Sequence, residues 1–388
     1  MPDIHARLSA SGAKRWLTCP GSVRLEEGFE DSSSVFAEEG TAAHTLSEYK
    51  LLHQTGKISK LAYTKRYNKF KRENEHYSKS MDDYTDDYVS YVLEQYNAYP
   101  NAFIELEKRV DFSRWVPDGF GTSDVVIISE GLLEVIDLKY GKGVAVSAEE
   151  NPQAMLYGLG AYNEYDMLYD FEKVRMTIVQ PRLDDTSTYE VTLDELLAWG
   201  DEFVKPRAEL AASGEGDCVP SEDGCRFCKA KAVCKARAEK NLETARHDFD
   251  EEPGKLSKEE ISEILLQAPE IKKWIEHVET YALEQARDHG ENFPDMKLVE
   301  GRSNRVITDK DKAADLLHDA GQTDIFKPRE LLAITKLEKA IGKEVFNEVL
   351  ADLVIKPPGK PALVSVKDKR PELNSLASAI DDFEEDLL

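Results

Sequence analysis

The sequence predicts an α/β chain of the α+β kind: a mixed sheet flanked by helices, followed by a mainly helical C-terminal region. Three observations carry this expectation. Between Phe103 and Tyr140 three strand-length runs alternate in polarity or fill with β-branched and apolar residues. A helical run, Gln153 to Tyr165, separates them from a further strand at Val174 to Val179. Long stretches of helical period precede and follow this block. A sheet buries its apolar faces against helices, so this order reads as one layered domain.

The elements follow in chain order. Ser9 to Leu17 reads as a capped helix, stopped by Cys19-Pro20. A second helix is expected from about Phe36 to Leu52. The basic, aromatic segment Lys57 to Lys79 reads as helix or loop. From Asp82 to Tyr99, Tyr84, Tyr88, Val92 and Tyr96 recur at helical spacing, and Pro100 closes the run. Ile104, Leu106 and Val110 mark a strand over Phe103 to Phe112. Asp124 to Ile128 and Leu132 to Tyr140 form two more, joined by the turn Ser129-Glu130-Gly131. The strand at Val174 to Val179 ends at Pro181, and a helix from about Leu193 to Ala212 leads to a group of cysteines. Beyond about Asp250 the composition shifts. Ser257 and Glu260 make a capping box for a long helix through Leu265, Ile271, Trp274, Val278 and Tyr281. Helices are expected near Lys310–Asp319 and Thr335–Leu350, then an extended linker, Lys356 to Pro371, and an acidic tail. The divisions are therefore residues 1–248, with a basic helical insertion at about 55–100, then 249–355 and 356–388.

With 41% apolar and 32% charged residues in 388, the chain has the composition of a soluble protein of two or three domains. Its longest apolar runs are strand-length, as in Val125 to Ile128, and its N-terminus lacks a secretory pattern, so the expected location is the cytoplasm. A net charge of −25 speaks at first against a nucleic-acid partner. Distribution outweighs the sum. Lys57 to Lys79 carries eight Lys/Arg against two Glu, and Arg226 to Arg246 carries seven against two. The acid lies elsewhere, in Asp82-Asp83, Asp86-Asp87 and the terminal Asp381 to Asp386. Five cysteines are an odd number, and Cys225, Cys228 and Cys234 form a C-x2-C-x5-C group better suited to metal or cluster ligation than to disulfides.

The chemistry centres on Glu134-Val135-Ile136-Asp137-Leu138-Lys139. Residues two apart on a strand face one way, so Asp137 and Lys139 share a side. Ionised groups are costly in a strand of Val, Ile and Leu unless they line a site. Asp124 opens the preceding strand and can approach Asp137 across the hairpin. Two carboxylates and a lysine suit hard cations such as Mg²⁺ or Mn²⁺, which activate water and offset charge on a phosphodiester. Alone, a D-x-K triplet is common and fits an exposed surface pair equally well.

Gly121-Thr122-Ser123-Asp124, the Glu134 to Gly141 run and Gln153-x3-Tyr157 resemble the motif series of RecB-like PD-(D/E)XK nucleases. Glu39-Gly40-Thr41-Ala42-Ala43-His44 resembles the upstream G-x-x-x-H element of that group. Cys19, Cys225, Cys228 and Cys234 resemble the ligands of its iron–sulfur branch, the AddB and CRISPR-adaptation nuclease type, and the overall pattern is closest to an uncharacterised phage and prophage family. The match covers roughly residues 1–245. It implies a restriction-endonuclease-like sheet with an Fe–S-closed helical subdomain. It further implies His44, Asp124, Asp137 and the main-chain carbonyl of Leu138 as metal ligands. Lys139 would be the catalytic lysine, with Gln153 and Tyr157 positioning substrate and site from one helix face. Taken alone, His44 reads as a partly buried surface histidine, and Gln153 and Tyr157 as an ordinary helix face. Glu105 and Glu107 read as strand-surface residues.

The expected cofactors are Mg²⁺ or Mn²⁺ and a [4Fe-4S] cluster, with zinc as the alternative thiolate-bound metal. Cys218 reads as a spare thiol, or as a stand-in for Cys225 under another register. On the basic segment, Lys65, Arg66, Lys69, Lys71 and Arg72 are candidates for DNA backbone contact, interleaved with Tyr63, Tyr67, Phe70 and Tyr77 for base stacking. The other reading of that segment is a solvated helix with a tyrosine core face. Gly301 to Arg305 reads as a polar turn or a phosphate contact. Asp381 to Leu388 resembles the acidic tips by which single-strand-binding proteins recruit partners, and also fits plain disorder. The expectation is a phage-type DNA nuclease for recombination or end processing, an exonuclease acting on DNA ends or single-stranded DNA without a membrane partner. The alternatives are a catalytically silent DNA-binding or scaffold protein and a zinc-dependent adaptor.

Overall fold

A computed structural model describes residues 6–29, 35–245, 258–299, 309–319, 331–350 and 353–354. The linker from Lys356 to Pro371, the acidic tail, Gly301 to Arg305 and the capping serine Ser257 lie outside these residues.

The N-terminal half builds helices α1 (Ala13–Thr18), α2 (Gly21–Leu25), α3 (Val35–Gln54), α4 (Lys60–Glu73) and α5 (Lys79–Ala98). Ser59 and Ser78 start α4 and α5 by accepting hydrogen bonds from Ala62 N and Met81 N. Strands β1 (Phe103–Asp111), β2 (Phe120–Ser129) and β3 (Gly131–Leu138) follow, then α6 (Pro152–Tyr165), β4 (Phe171–Gln180) and β5 (Asp185–Thr192). The sheet runs β1-β2-β3-β4-β5, antiparallel throughout except for the parallel pair β3–β4 that α6 connects. It is a mixed sheet with helices on both faces, as the sequence predicts.

Alternation along the strands sorts their side chains between two cores. Val126 and Ile128 of β2 and Leu133 and Val135 of β3 pack toward α1 and α6. Val125, Ile127, Ile136 and Leu138 pack toward the layer of α3, α4 and α5. In β1 the alternation breaks. Ile104 and Leu106 face the α3–α5 layer, whereas Val110, also an even position, faces the α6 layer. Between them Glu107 holds a left-handed φ of 47°.

Helix α7 (Leu193–Ala198), begun by a Thr192–Glu195 capping box, runs through a π-helical turn, Trp199–Val204, into α8 (Lys205–Ser213). The helix predicted over Leu193 to Ala212 is therefore present with one widened turn. Two short helical pieces, α9 (Glu222–Arg226) and α10 (Lys235–Ala245), carry the cysteine segment. The long α11 (Lys258–Asp288) docks on α10 through Arg237, which is 2% exposed and whose guanidinium donates to Glu270 Oε1 at 2.6 and 3.0 Å. α12 (Lys310–Asp319) occupies the predicted span. The helix expected over Thr335–Leu350 divides at Gly342, φ 86°, into α13 (Ile334–Ile341) and α14 (Lys343–Leu350).

A candidate metal centre at the sheet edge and a cysteine lobe

The carboxyl end of β3 is where the parallel pair β3–β4 opens toward α6, a usual place for a ligand in sheets of this kind. Continuing the β2–β3 register one step beyond Val125↔Ile136 sets Asp124 opposite Asp137. The β1–β2 register likewise sets Glu107 opposite Asp124, between the pairs Leu106↔Val125 and Lys108↔Ser123. Opposed residues share a sheet face, so three carboxylates form one row across three strands.

Their partners come from the two helical layers. From α3, His44 Nδ1 lies 3.1 Å from Asp124 Oδ1, and Leu138 N donates to Asp124 Oδ2 at 2.7 Å. From α6, Gln153 Oε1 accepts from Lys139 Nζ at 2.9 Å, while Gln153 Nε2 donates to Asp137 Oδ1 and to Tyr157 OH, both at 3.3 Å. Gln153 is held in the first turn of α6, where Asn151 Oδ1 accepts from Gln153 N at 3.1 Å and Ala154 N at 3.3 Å. Lys139 Nζ stands 2.9 Å from Asp137 Oδ2 but off the hydrogen-bonding direction, so that buried oxygen has an ion-pair neighbour and no hydrogen-bond donor. Gly121 makes the arrangement possible, since a Cβ there would come within 2.8 Å of the Tyr157 ring.

Electrostatics follow from this crowding. Burial works against a charged His44, yet Asp124, with Asp137 and Glu107 behind it, raises its pKa to about 9. Burial and the charge of Asp124 push Glu107 up to about 7, against the pull of His44. Burial raises Asp137 as well, helped by Asp124 and opposed by Lys139. For Asp124 burial acts upward, but His44 and the Leu138 N–H outweigh it and hold the carboxyl below its ordinary value. His44, Glu107 and Asp124 each bring a ligand atom within 4.8 Å of the others'. A donor set of carboxylate oxygens with one imidazole, their ligand atoms gathered within 4.8 Å, fits a hard divalent cation.

The second assembly is the cysteine lobe. Cys19, between α1 and α2, meets the segment before α9: Val219 N donates to Cys19 Sγ at 3.1 Å and Gly21 N to Asp217 O at 3.0 Å. The approach is close enough that a Cβ on Gly21 would lie 2.6 Å from Gly216 O. Cys228 and Cys234 are buried, and Cys225 and Cys19 are half-buried. Burial pushes the Cys228 thiol up to about 12, and Cys225 is raised by burial and by the neighbouring Cys19 and Cys234. The lobe is tied down by Arg15, whose Nη2 lies 3.0 Å from Glu26 Oε2, and by Lys229 N donating to Glu26 Oε1 at 2.7 Å. Thiols drawn from two distant segments, one already accepting an N–H hydrogen bond, fit a thiolate-bound metal or cluster.

A family model described as "Protein of unknown function (DUF2800)" matches residues 5–371. The chain belongs to that family. Among solved structures the DUF2800 chain is similar to the crystal structure of SSO0001, with 16% identity and a TM-score of 0.22, over 56% of this chain and 95% of that one. A likeness of that order carries neither fold nor function across.

The structure of the DUF2800 chain joins His44, Asp124, Asp137, Leu138, Lys139, Gln153 and Tyr157 in one network. One expectation needs correction. Glu107 is no plain strand-surface residue: it faces Asp124 and belongs to the cluster, because the break in β1 turns it there. Burial, with Cys19 and Cys234 nearby, raises the Cys218 thiol to about 11. The row formed by Asp124 and Glu107 was not readable in the sequence, because nothing in the residues around Glu107 marks the break.

On α4, Lys65, Arg66, Lys69, Lys71 and Arg72 are exposed and stand apart from this network. Their interleaved aromatics turn inward. Tyr63 stacks on His53 at 4.8 Å, Tyr67 OH donates to Asp82 Oδ2 at 2.7 Å, and Phe70 is buried. The rings offer a core face instead of a stacking platform. A groove of about 490 Å³ lies on the other side, where Gln153 meets Lys14, Arg15, Arg226 and Phe227. Among the described residues, no helix is long and apolar enough to cross a membrane.

Proposed function

We propose that this protein is a divalent-cation-dependent DNA nuclease, hydrolysing phosphodiester bonds in DNA recombination or end processing of the phage type. The observation that carries the reading is the Asp137–Lys139–Gln153 triangle beside Asp124, a buried carboxylate and a half-buried lysine held together where an ordinary strand would be apolar. The resemblance to RecB-like PD-(D/E)XK nucleases supports the same residues in the same roles. Asp124, Asp137, His44 and the Leu138 carbonyl would hold Mg²⁺ or Mn²⁺, which when bound supplies an acidified water and offsets phosphate charge.

The remaining chemistry belongs to side chains. Lys139 keeps its proton, because Asp137 outweighs the burial that opposes it, and presents N–H donors to a phosphate oxygen. Gln153 fixes the direction of Lys139 by accepting one of its protons, and Tyr157 fixes Gln153 from the next turn of α6. The groove that reaches Gln153 is lined by Lys14, Arg15 and Arg226 but equally by Glu149, Glu150 and Asp223, with Lys14 Nζ 2.6 Å from Asp223 Oδ2, so what it offers a single strand is the exposed Phe227 ring. Cys19, Cys225, Cys228 and Cys234 would hold a [4Fe-4S] cluster that closes the lobe bordering this groove.

The test is a cleavage time course on end-labelled linear and circular DNA with Mg²⁺ or Mn²⁺. Lys139→Ala should cut slower by roughly 10²–10³-fold, the scale of a lost charge-stabilising donor, and Asp137→Ala at least as slowly. DNA binding should survive both changes, since removing a carboxylate lowers repulsion of phosphate. Wild-type rates in both variants would remove these residues from the site. Binding without cleavage by the native chain would leave the silent DNA-binding protein as the better reading.

A further inference from the structure

We propose that the outward face of α4 is the docking surface for this chain's own acidic segment, Asp381 to Leu388, which returns to it as a tethered anionic ligand. The inference does not rest on the nuclease reading. It concerns a helix that stands apart from the carboxylate network and a segment that supplies none of that network's residues.

The helix is two-sided. Tyr63, Tyr67 and Phe70 turn inward, and at about 100° per residue the opposite arc carries Leu61, Lys65, Asn68, Lys69 and Arg72. All five are exposed, Leu61 to 82%. α4 holds six Lys and Arg against one acid, Glu73, which pairs with Arg72 at 2.6 Å and lies 3.9 Å from Lys69. Among the described residues those are its ion pairs, and Lys65 has none. Lys65 and Lys69 stand four apart, a like-charge spacing that costs the helix free energy until an anion relieves it. A nucleic acid is the competing anion, but the rings on which a single strand would stack face the other way. An exposed leucine among cations suits an acidic peptide that also carries apolar side chains. Asp381 to Asp386 holds five acids around Phe383, Leu387 and Leu388 follow, and no Lys or Arg lies between residues 371 and 388.

The path of the chain supports the same occupant. Tyr84 OH of α5 donates to Glu338 Oε1 of α13. A Cβ on Gly342, where α13 meets α14, would lie 3.1 Å from Asp83 Oδ2 and 3.2 Å from Lys79 Cγ. Lys79 and Asp83 open α5, and Asn74 to Ser78 alone separate them from α4. Within that connection the Tyr77 ring receives Lys71 of α4 at 5.4 Å. The C-terminal helices therefore deliver the chain beside the end of α4. From Val354, 26 residues lead to Asp381. A flexible stretch of that length spans roughly 30 Å, and its prolines extend it further, whereas the 14 residues of α4 cover about 21 Å. Such a tether holds the acids near α4 at an effective concentration on the order of millimolar, which lets individually weak surface ion pairs form together. Docked, the segment covers these cations with charge that repels phosphate.

The experiment reads lysine exposure in the full-length protein. Brief acetylation at low salt, mapped by mass spectrometry, is compared between the native chain and a variant carrying Asp381→Asn, Asp382→Asn, Glu384→Gln, Glu385→Gln and Asp386→Asn. Lys65 and Lys69 should react roughly threefold faster in the variant, as expected where tether and affinity are both of millimolar order, while Lys14 and Lys229 should not change. In 1 M salt, where screening acts within about 3 Å, the difference should vanish. A zero-length carbodiimide, which joins a carboxylate to an amine it touches, should link residues 381–386 to Lys65 or Lys69. In a mixture of ¹⁴N- and ¹⁵N-labelled protein those links should stay within one chain. Equal acetylation of native chain and variant overturns the proposal, and so do links spread evenly over Lys229, Lys231, Lys235 and Lys240 or joining two chains. Protection of Lys65 and Lys69 that arises only when a single-stranded oligonucleotide is added gives the face to nucleic acid and overturns it as well. None of these readouts uses cleavage, so a chain that cuts no DNA can pass this test and one that cuts can fail it.

Discussion

Gly121 shows how one missing methyl group can set a site. Its Cα faces the Tyr157 ring so closely that any Cβ must displace ring or strand, and Tyr157 is what holds Gln153 against Lys139. Gly121→Val should destabilise by about 1–3 kcal/mol, as overpacking does, and should slow cleavage more than it weakens DNA binding. Thermal melts with paired binding and cleavage assays check this, and a variant with wild-type cleavage would detach Tyr157 from the chemistry. At this scale the sequence was most legible where strand parity was intact. Asp137 and Lys139 share a face because they are two apart on an unbroken strand, and Asp124 follows from the short hairpin. Glu107 was not legible, because a left-handed φ in the middle of β1 resets the alternation that sequence reading depends on.

Among elements, the contact between α3 and α5 makes a separate prediction. Lys50 Nζ is buried and donates to Asp82 O at 2.7 Å and Thr85 Oγ1 at 2.8 Å, with Asp82 Oδ1 at 2.9 Å. Burial works against the Asp82 carboxylate, but Lys50 and Tyr67 outweigh it and hold its pKa below the usual 3.8. A carboxyl depressed on folding adds stability that is present above its ordinary value and lost as pH falls through the lowered one. The melting temperature should therefore drop below about pH 4, and Asp82→Asn should flatten that acid limb. At neutral pH, Asp82→Asn should cost about 1–2 kcal/mol, because Lys50 loses one of its two carboxylate partners and keeps Asp86 Oδ1 at 2.6 Å. A melting profile unchanged in shape would place the acid sensitivity elsewhere. Element by element, helices with a clear apolar period were legible, as were strands filled with Val and Ile. The edge strand β5 was not, since Thr186, Thr188, Glu190 and Thr192 leave it too polar to stand out. The division at Gly342 and the widened turn at Trp199–Val204 were hidden inside otherwise continuous helical patterns. There a Gly200 Cβ would come within 2.8 Å of Trp115 Nε1.

Over the whole molecule, the carboxylate cluster lies at the sheet and the cysteine lobe lies against α1 and α2. The cysteine spacing pointed to ligation, and the structure brings Cys19 to the 217–219 segment through backbone contacts that no spacing could announce. Anaerobically purified protein is expected to be brown and to contain iron, and Cys228→Ala should lose both the colour and several degrees of melting temperature. Stoichiometric zinc without iron would replace the cluster by the zinc alternative. The carboxylate-bearing edge is linked to the neighbouring strand β4 in another way. The peptide unit joining Leu138 to Lys139 donates its N–H to Val179 O on β4 at 3.0 Å, so its carbonyl, on the opposite side of the trans amide, points toward the β2 side of β3. A hydrogen bond at one end of an amide draws electron density toward its oxygen at the other, so bonds in series strengthen one another. Polarisation thus runs from β4 through a single amide to its carbonyl oxygen, and the basicity of that oxygen is tuned by a strand bearing no acidic residue of the site.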